Sequence, residues 1–172
     1  MPIPLGIYLI AFTLFALVGA TTATSADRTS ASNASTCRGT LPNHRVQPDA
    51  SFGRGGFNYG NAQLRAHLSW TNGWLKAGIL RDGGSYASIE PDGSIRTKQG
   101  WWRGPRGQLV ISGRRLDGPP SAWRMTTNTF YGDQGFIPVI VTFPTTGCWR
   151  VTGTLGTAKL TYVVKVTKLP GQ

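Results

Sequence analysis

The sequence predicts an all-β fold, a sandwich or barrel of about eight short strands. Three observations carry that prediction. Glycine accounts for 23 of 172 residues, beside 11 prolines, about twice the usual ~7% for glycine, so turns are frequent and long helices scarce. Several stretches alternate apolar and polar residues with a period of two, the pattern of a half-buried strand. Turn signals recur along the chain with no helical period between them. Hydrophobic residues make up 40% and charged residues 15%, which supplies a core and excludes disorder driven by charge. The length suits one domain.

Order is expected from residue 61 to 172. Ala62, Leu64, Ala66, Leu68 and Trp70 alternate with Gln63, Arg65, His67 and Ser69, and predict the first strand. Thr71-Asn72-Gly73 then reads as a hairpin turn, because Asn-Gly accepts positive φ at little cost, with residues 74–80 as the returning strand. Asp82-Gly83-Gly84 and Pro91-Asp92-Gly93-Ser94 bound short strands over 86–90 and 95–98. Residues 108–112 form a β-branched run. Asp117-Gly118-Pro119-Pro120 cannot continue a strand, since proline lacks the donor. Residues 136–143 are the next strand, where Pro138 indicates an edge position or a bulge. Residues 148–152 and 159–166 flank Gly153-Thr154-Leu155-Gly156-Thr157 as a closing hairpin.

Ahead of that domain, residues 3–20 are apolar and uncharged, which suits a secretory signal peptide over 1–26. Ala20, Ala23 and Ala26 offer small cleavage residues, and a mature start at Thr24 or Asp27 is expected. The first residues lack Lys and Arg, so an uncleaved membrane anchor is the alternative. Either way the domain is exported, to the extracellular space or the envelope, with no membrane-spanning segment after cleavage. Residues 27–60 read as a linker and irregular segment. It opens on a run of Ser, Thr, Asn and Ala with too little apolar surface to order, and contains the formal glycosylation triplet Asn33-Ala34-Ser35. In an oxidising compartment two cysteines most simply form one disulfide, Cys37 with Cys148, two free thiols being the alternative.

The chain resembles a family of uncharacterised exported bacterial proteins, many of them lipoproteins, that share an immunoglobulin-like domain. The matching motifs are Tyr59-Gly60-Asn61, Asp92-Gly93-Ser94 with Lys98, Trp101-Trp102-Arg103, Gly113-Arg114-Arg115-Leu116-Asp117, Tyr131-Gly132-Asp133 and Phe143-Pro144-Thr145-Thr146-Gly147-Cys148-Trp149-Arg150-Val151-Thr152-Gly153. They span roughly residues 37–166. Arg150 stands where the family usually has Glu, and Leu64-Arg65 where an apolar-Trp pair is common. The resemblance implies an immunoglobulin-like antiparallel β-sandwich and an N-terminal cysteine to accompany Cys148. It implies no activity, ligand or catalytic residue.

No catalytic motif is present: no G-x-S-x-G, HExxH, Walker A or dinucleotide fingerprint. His44 and His67 lack the close spacing of a zinc site, and the acids sit in turn sequences rather than as a catalytic pair. No enzyme activity, metal or cofactor is therefore expected. The formal net charge is +11. Between Ser94 and Leu116 there is no acid, while Arg96, Lys98, Arg103, Arg106, Arg114 and Arg115 are interleaved with Trp101 and Trp102. Arginine donors match phosphate and carboxylate, and an exposed indole stacks on a ring, so this segment is the candidate polyanion site. The competing reading sends the charges to solvent and the tryptophans to the core. The expected function is a non-catalytic exported domain that holds an anionic envelope or extracellular polymer. A module binding or inhibiting another surface protein is the alternative, and an unrecognised hydrolase the second.

Overall fold

The computed structural model describes residues 37–46, 48, 56–79, 87–127 and 129–172. The expected signal peptide with its cleavage residues, the linker up to residue 36 and the turn at Asp82 lie outside them. Ten strands form two sheets, and no α-helix occurs among the described residues. One sheet runs β1 (Asn58–Gly60), β2 (Leu64–His67), β5 (Ile95–Arg103), β8 (Gly135–Phe143), β7 (Arg124–Thr127), with β4 (Ser88–Ile89) also paired to β5. The other runs β3 (Trp74–Ala77), β10 (Ala158–Lys168), β9 (Gly147–Leu155), β6 (Val110–Arg115). The all-β sandwich expected from the alternation is present.

The period of two decides what fills the space between the sheets. Ile95, Thr97, Gln99, Trp101 and Arg103 of β5 are buried, as are Ile137, Val139, Val141 and Phe143 of β8. From the other sheet come Trp149, Val151, Leu155, Leu160, Tyr162, Val164 and Val166. Trp101 is fully buried at this interface. A Cβ at Gly153 would stand 2.5 Å from the Trp101 ring, so only glycine fits opposite it on β9. The Tyr162 hydroxyl donates to Gln99 Oε1 at 2.6 Å. Burial raises the Tyr162 phenol well above its ordinary value, against the effect of that hydrogen bond.

Several expectations need correction. Asn72-Gly73 does not close a hairpin: β2 belongs to one sheet and β3 to the other, where β3 runs parallel to β10. The chain turns through positive φ at Ser69 and Gly73, and buried Trp70 between them donates its indole N–H to the Thr40 carbonyl at 3.0 Å. Pairing with β10 thus outweighs the local turn signal. Ala62 is exposed and precedes the strand. β8 is an interior strand between β5 and β7, so Pro138 is not on an edge strand; it stands opposite Gly100 of β5, one residue before the stretch 139–142 that pairs with β7.

Order also starts earlier than residue 61. Cys37 and Cys148 form a disulfide with Cα atoms 5.6 Å apart. Thr40 donates its N–H to the Val163 carbonyl at 2.7 Å, and its Oγ1 accepts the Val163 N–H at 2.9 Å. The Asn43 amide holds Gly60, donating to its carbonyl at 2.7 Å and accepting its N–H at 3.1 Å. Residues 37–46 and strand β1 therefore belong to the folded domain rather than to a linker ending at residue 60.

Candidate functional site

The basic aromatic segment predicted as one site is distributed over four environments. Alternation along β5 sends Arg96, Lys98 and Trp102 to the outer side of the six-stranded sheet and Trp101 and Arg103 inward. Trp101 is therefore a core residue, and Arg65 lies over the Trp102 ring at 4.6 Å. Arg103 is 2% exposed and cannot reach a polymer, which removes it from the candidate polyanion site. Its guanidinium donates to the carbonyls of Tyr131 (3.0 Å), Gly132 (3.0 Å), Gln134 (3.1 Å), Gly135 (3.3 Å) and Gly107 (3.4 Å). Burial lowers the Arg103 guanidinium from its ordinary value, and the nearby Asp133 carboxylate acts against that.

Arg106 is exposed but pairs with Asp133 at 3.0 Å. Arg115 pairs with Asp117 at 2.9 Å and donates to Thr145 Oγ1 at 3.2 Å. Asp117 Oδ2 also accepts the Cys148 N–H at 2.9 Å. Burial works against ionisation of Asp117, but the bonds from Arg115 and Cys148 hold its carboxyl below the usual range. Gly147 is forced by the same cluster, with φ 137° and space for a Cβ only 2.8 Å from Asp117 Oδ1. The Gly113–Asp117 and Thr145–Trp149 motifs thus brace one corner of the sandwich.

What the fold assembles instead is a cationic face on the outer side of the four-stranded sheet, whose strands contain no acid. Arg114 stands directly opposite Arg150, which stands opposite Val163. Two residues on, on the same face of β10, Lys165 stands opposite Trp74, and Thr167 opposite Lys76. Each step moves one strand across, with a spacing of about 4.8 Å between strands and about 6.8 Å per two residues along one. Arg114, Arg150, Lys165 and Lys76 therefore form a diagonal of roughly 20 Å across all four strands. Lys159 lies further along β10 on the same face. Lys165 Nζ sits 4.4 Å above the Trp74 ring, which holds it on the stripe.

No Asp or Glu occurs in any strand of this sheet. Among the described residues the carboxylates are Glu90, Asp92, Asp117 and Asp133. Asp117, two residues beyond the end of β6, is committed to Arg115. The diagonal cations form no ion pair among the described residues. Between them and Lys159 the face offers hydroxyls, with Thr152 and Thr161 joined through their Oγ1 atoms at 3.0 Å. Arg38 lies between Cys37, which the disulfide ties to Cys148 of β9, and Gly39, which packs against Gly73 ahead of β3. Only Arg114 of this set was singled out by the sequence segment. The alternation within β3, β9 and β10 marks Lys76, Arg150, Lys159 and Lys165 as outward, but nothing in the sequence says that these strands are neighbours.

His44 is exposed, whereas His67 is half-buried against Phe57 and Asn58. Burial lowers the His67 imidazole from its ordinary value. No group of three His, Cys, Asp or Glu side chains converges among the described residues, and no helix among them is long and apolar enough to cross a membrane. Compared with known proteins, the chain matches no family model, no curated protein and no solved structure.

Proposed function

We propose that this chain is an exported, non-catalytic binding domain that holds a linear anionic polymer of the envelope or extracellular matrix against its four-stranded sheet. The observation that carries the reading is the diagonal Arg114, Arg150, Lys165 and Lys76, a row of cations from four strands with no carboxylate among them. A like-charge pair directly opposite in a sheet costs up to ~1 kcal/mol. Arg114 and Arg150 are such a pair, and an anion bridging two guanidiniums removes the repulsion. Overall charge adds long-range attraction, since the formal net charge is +11. The Cys37–Cys148 disulfide suits the oxidising compartment that this role requires.

Retention on immobilised heparin, measured against sodium chloride, tests the reading. The triple variant Arg114→Ala, Arg150→Ala, Lys165→Ala should bind roughly a hundredfold more weakly at low salt, taking ~1 kcal/mol per surface cation. Its salt dependence should also flatten, because fewer counterions are released. Arg106→Ala, which removes a cation already paired, should change little. Equal losses from the triple and the Arg106 variants would mean that net charge alone drives binding, and the face would not be the site.

A further inference from the structure

The opposite side of the sandwich carries a second, concave feature that the polymer reading does not use. On the outer side of the six-stranded sheet, Thr142 of β8 stands between Arg96 of β5 and Arg124 of β7, each directly opposite it in register. Ser88 of β4 stands on the far side of Arg96. Arg96, Arg124 and Thr142 line an open cleft of about 520 Å³, with Thr126 and Ile140 beside them and Glu90, Pro91, Asp92 and Ser94 also along its wall.

The hydrogen bonds within the cleft determine which groups remain for a ligand. Asp92 is engaged through both oxygens: it accepts the Ser94 N–H at 3.0 Å, the Ser94 hydroxyl at 2.5 Å and Arg124 Nη2 at 3.0 Å. Those three bonds hold its carboxyl down at about 2, so it serves as an internal counter-ion. Arg124 retains its other N–H donors for a ligand. Arg96 forms no ion pair among the described residues. Glu90 accepts the Ser88 hydroxyl at 2.9 Å through one oxygen and has acceptor capacity left. Ile140 and Pro91 supply a small apolar strip. Two arginines on the strands that flank a threonine match a carboxylate, a second carboxylate in the wall accepts hydroxyls, and an apolar strip suits the C–H face of a ring.

From this arrangement we propose that the cleft binds a sugar acid, with its carboxylate between Arg96 and Arg124 above Thr142 and its hydroxyls toward Glu90 and Thr126. The site is independent of the polymer face and lies on the other sheet.

Titration of the isotope-labelled protein with glucuronate, glucose and acetate, followed by backbone amide shifts, tests the proposal. Glucuronate should move the amides of Arg96, Thr126 and Thr142 saturably, with glucose and acetate each binding about tenfold more weakly or worse. Arg96→Gln and Thr142→Val should each weaken glucuronate by several-fold to tenfold while leaving the thermal midpoint and heparin retention unchanged. The heparin-defective triple variant should bind glucuronate normally. Equal binding of acetate would reduce the site to a surface ion pair, and equal binding of glucose would remove the role of the arginines. Unchanged affinity in Arg96→Gln would overturn the proposal whatever the outcome on heparin.

Discussion

The two outer faces of the sandwich carry similar numbers of cations and use them differently. On the six-stranded sheet, turn carboxylates reach back over the strands. Asp92 takes Arg124 there, and in the connection after β5 Asp133 takes Arg106 in the same way, while Arg96 lines the cleft without an ion partner among the described residues. On the four-stranded sheet no carboxylate of the described connections pairs with the diagonal, and Arg114 and Arg150 are left facing each other. The difference arises in the loops rather than in the strands. A surface arginine becomes available to an external anion when no turn acid folds over it, whatever its neighbours in sequence.

A third arginine environment sharpens that contrast, because Arg103 has no solvent and no direct carboxylate, only carbonyls. The largest effect is expected there. Arg103→Met should cost about 4 kcal/mol in urea unfolding, since it leaves five carbonyls of the 107 and 131–135 turns without their donor. Heparin retention of the remaining folded protein should be unaffected. Wild-type stability in this variant would show that the turns hold themselves.

Removing the disulfide comes next. The double variant Cys37→Ser, Cys148→Ser should lose about 3 kcal/mol, as expected for releasing a closed loop with a sequence separation of 111. It should also loosen Thr40 from Val163, seen as faster amide exchange at Val163.

Arg114→Thr has the opposite sign. Relief of the repulsion with Arg150 should stabilise the fold by about 0.5 kcal/mol while heparin affinity falls. A variant that is more stable and binds less separates the two faces most directly. If instead it is destabilised, Arg114 contributes to the fold through contacts other than charge.

The smallest effect is a pH dependence on the six-stranded side. The Asp92 carboxyl is held near 2, below its ordinary 3.8. Its bonds to Ser94 and Arg124 therefore stabilise the fold fully above about 4, and that contribution is lost as pH falls toward 2. Thermal midpoints measured from pH 5 to pH 2 should fall more steeply for the wild type than for Asp92→Asn. Parallel curves would mean that the turn holds without the ionised form.

Alternation and turn chemistry were enough to read the sandwich and the closing β9–β10 hairpin, because period two is a local property of each strand, although residues 153–155, expected in the turn, belong to β9. The short strands β1 and β7 escaped that reading. Three residues around Gly60 hold their place through Asn43, and Arg124–Thr127 through pairing with β8, contacts that no local pattern encodes. Asn72-Gly73 misled for the same reason, since a turn signal specifies a reversal but not the sheet in which the next strand finds its partner.

The residues taken alone establish an all-β chain with a strong positive charge and a cysteine pair suited to one bridge. Tertiary structure alone decided which arginines meet. Arg96 and Arg114 are 18 positions apart in the numbering and end on opposite sheets, because the connection after β5 carries the chain from one layer to the other. Arg114, Arg150, Lys165 and Lys76 come from four separate strands and form one row, because hydrogen-bond register fixes strand neighbours only after long-range pairing has closed the sheet.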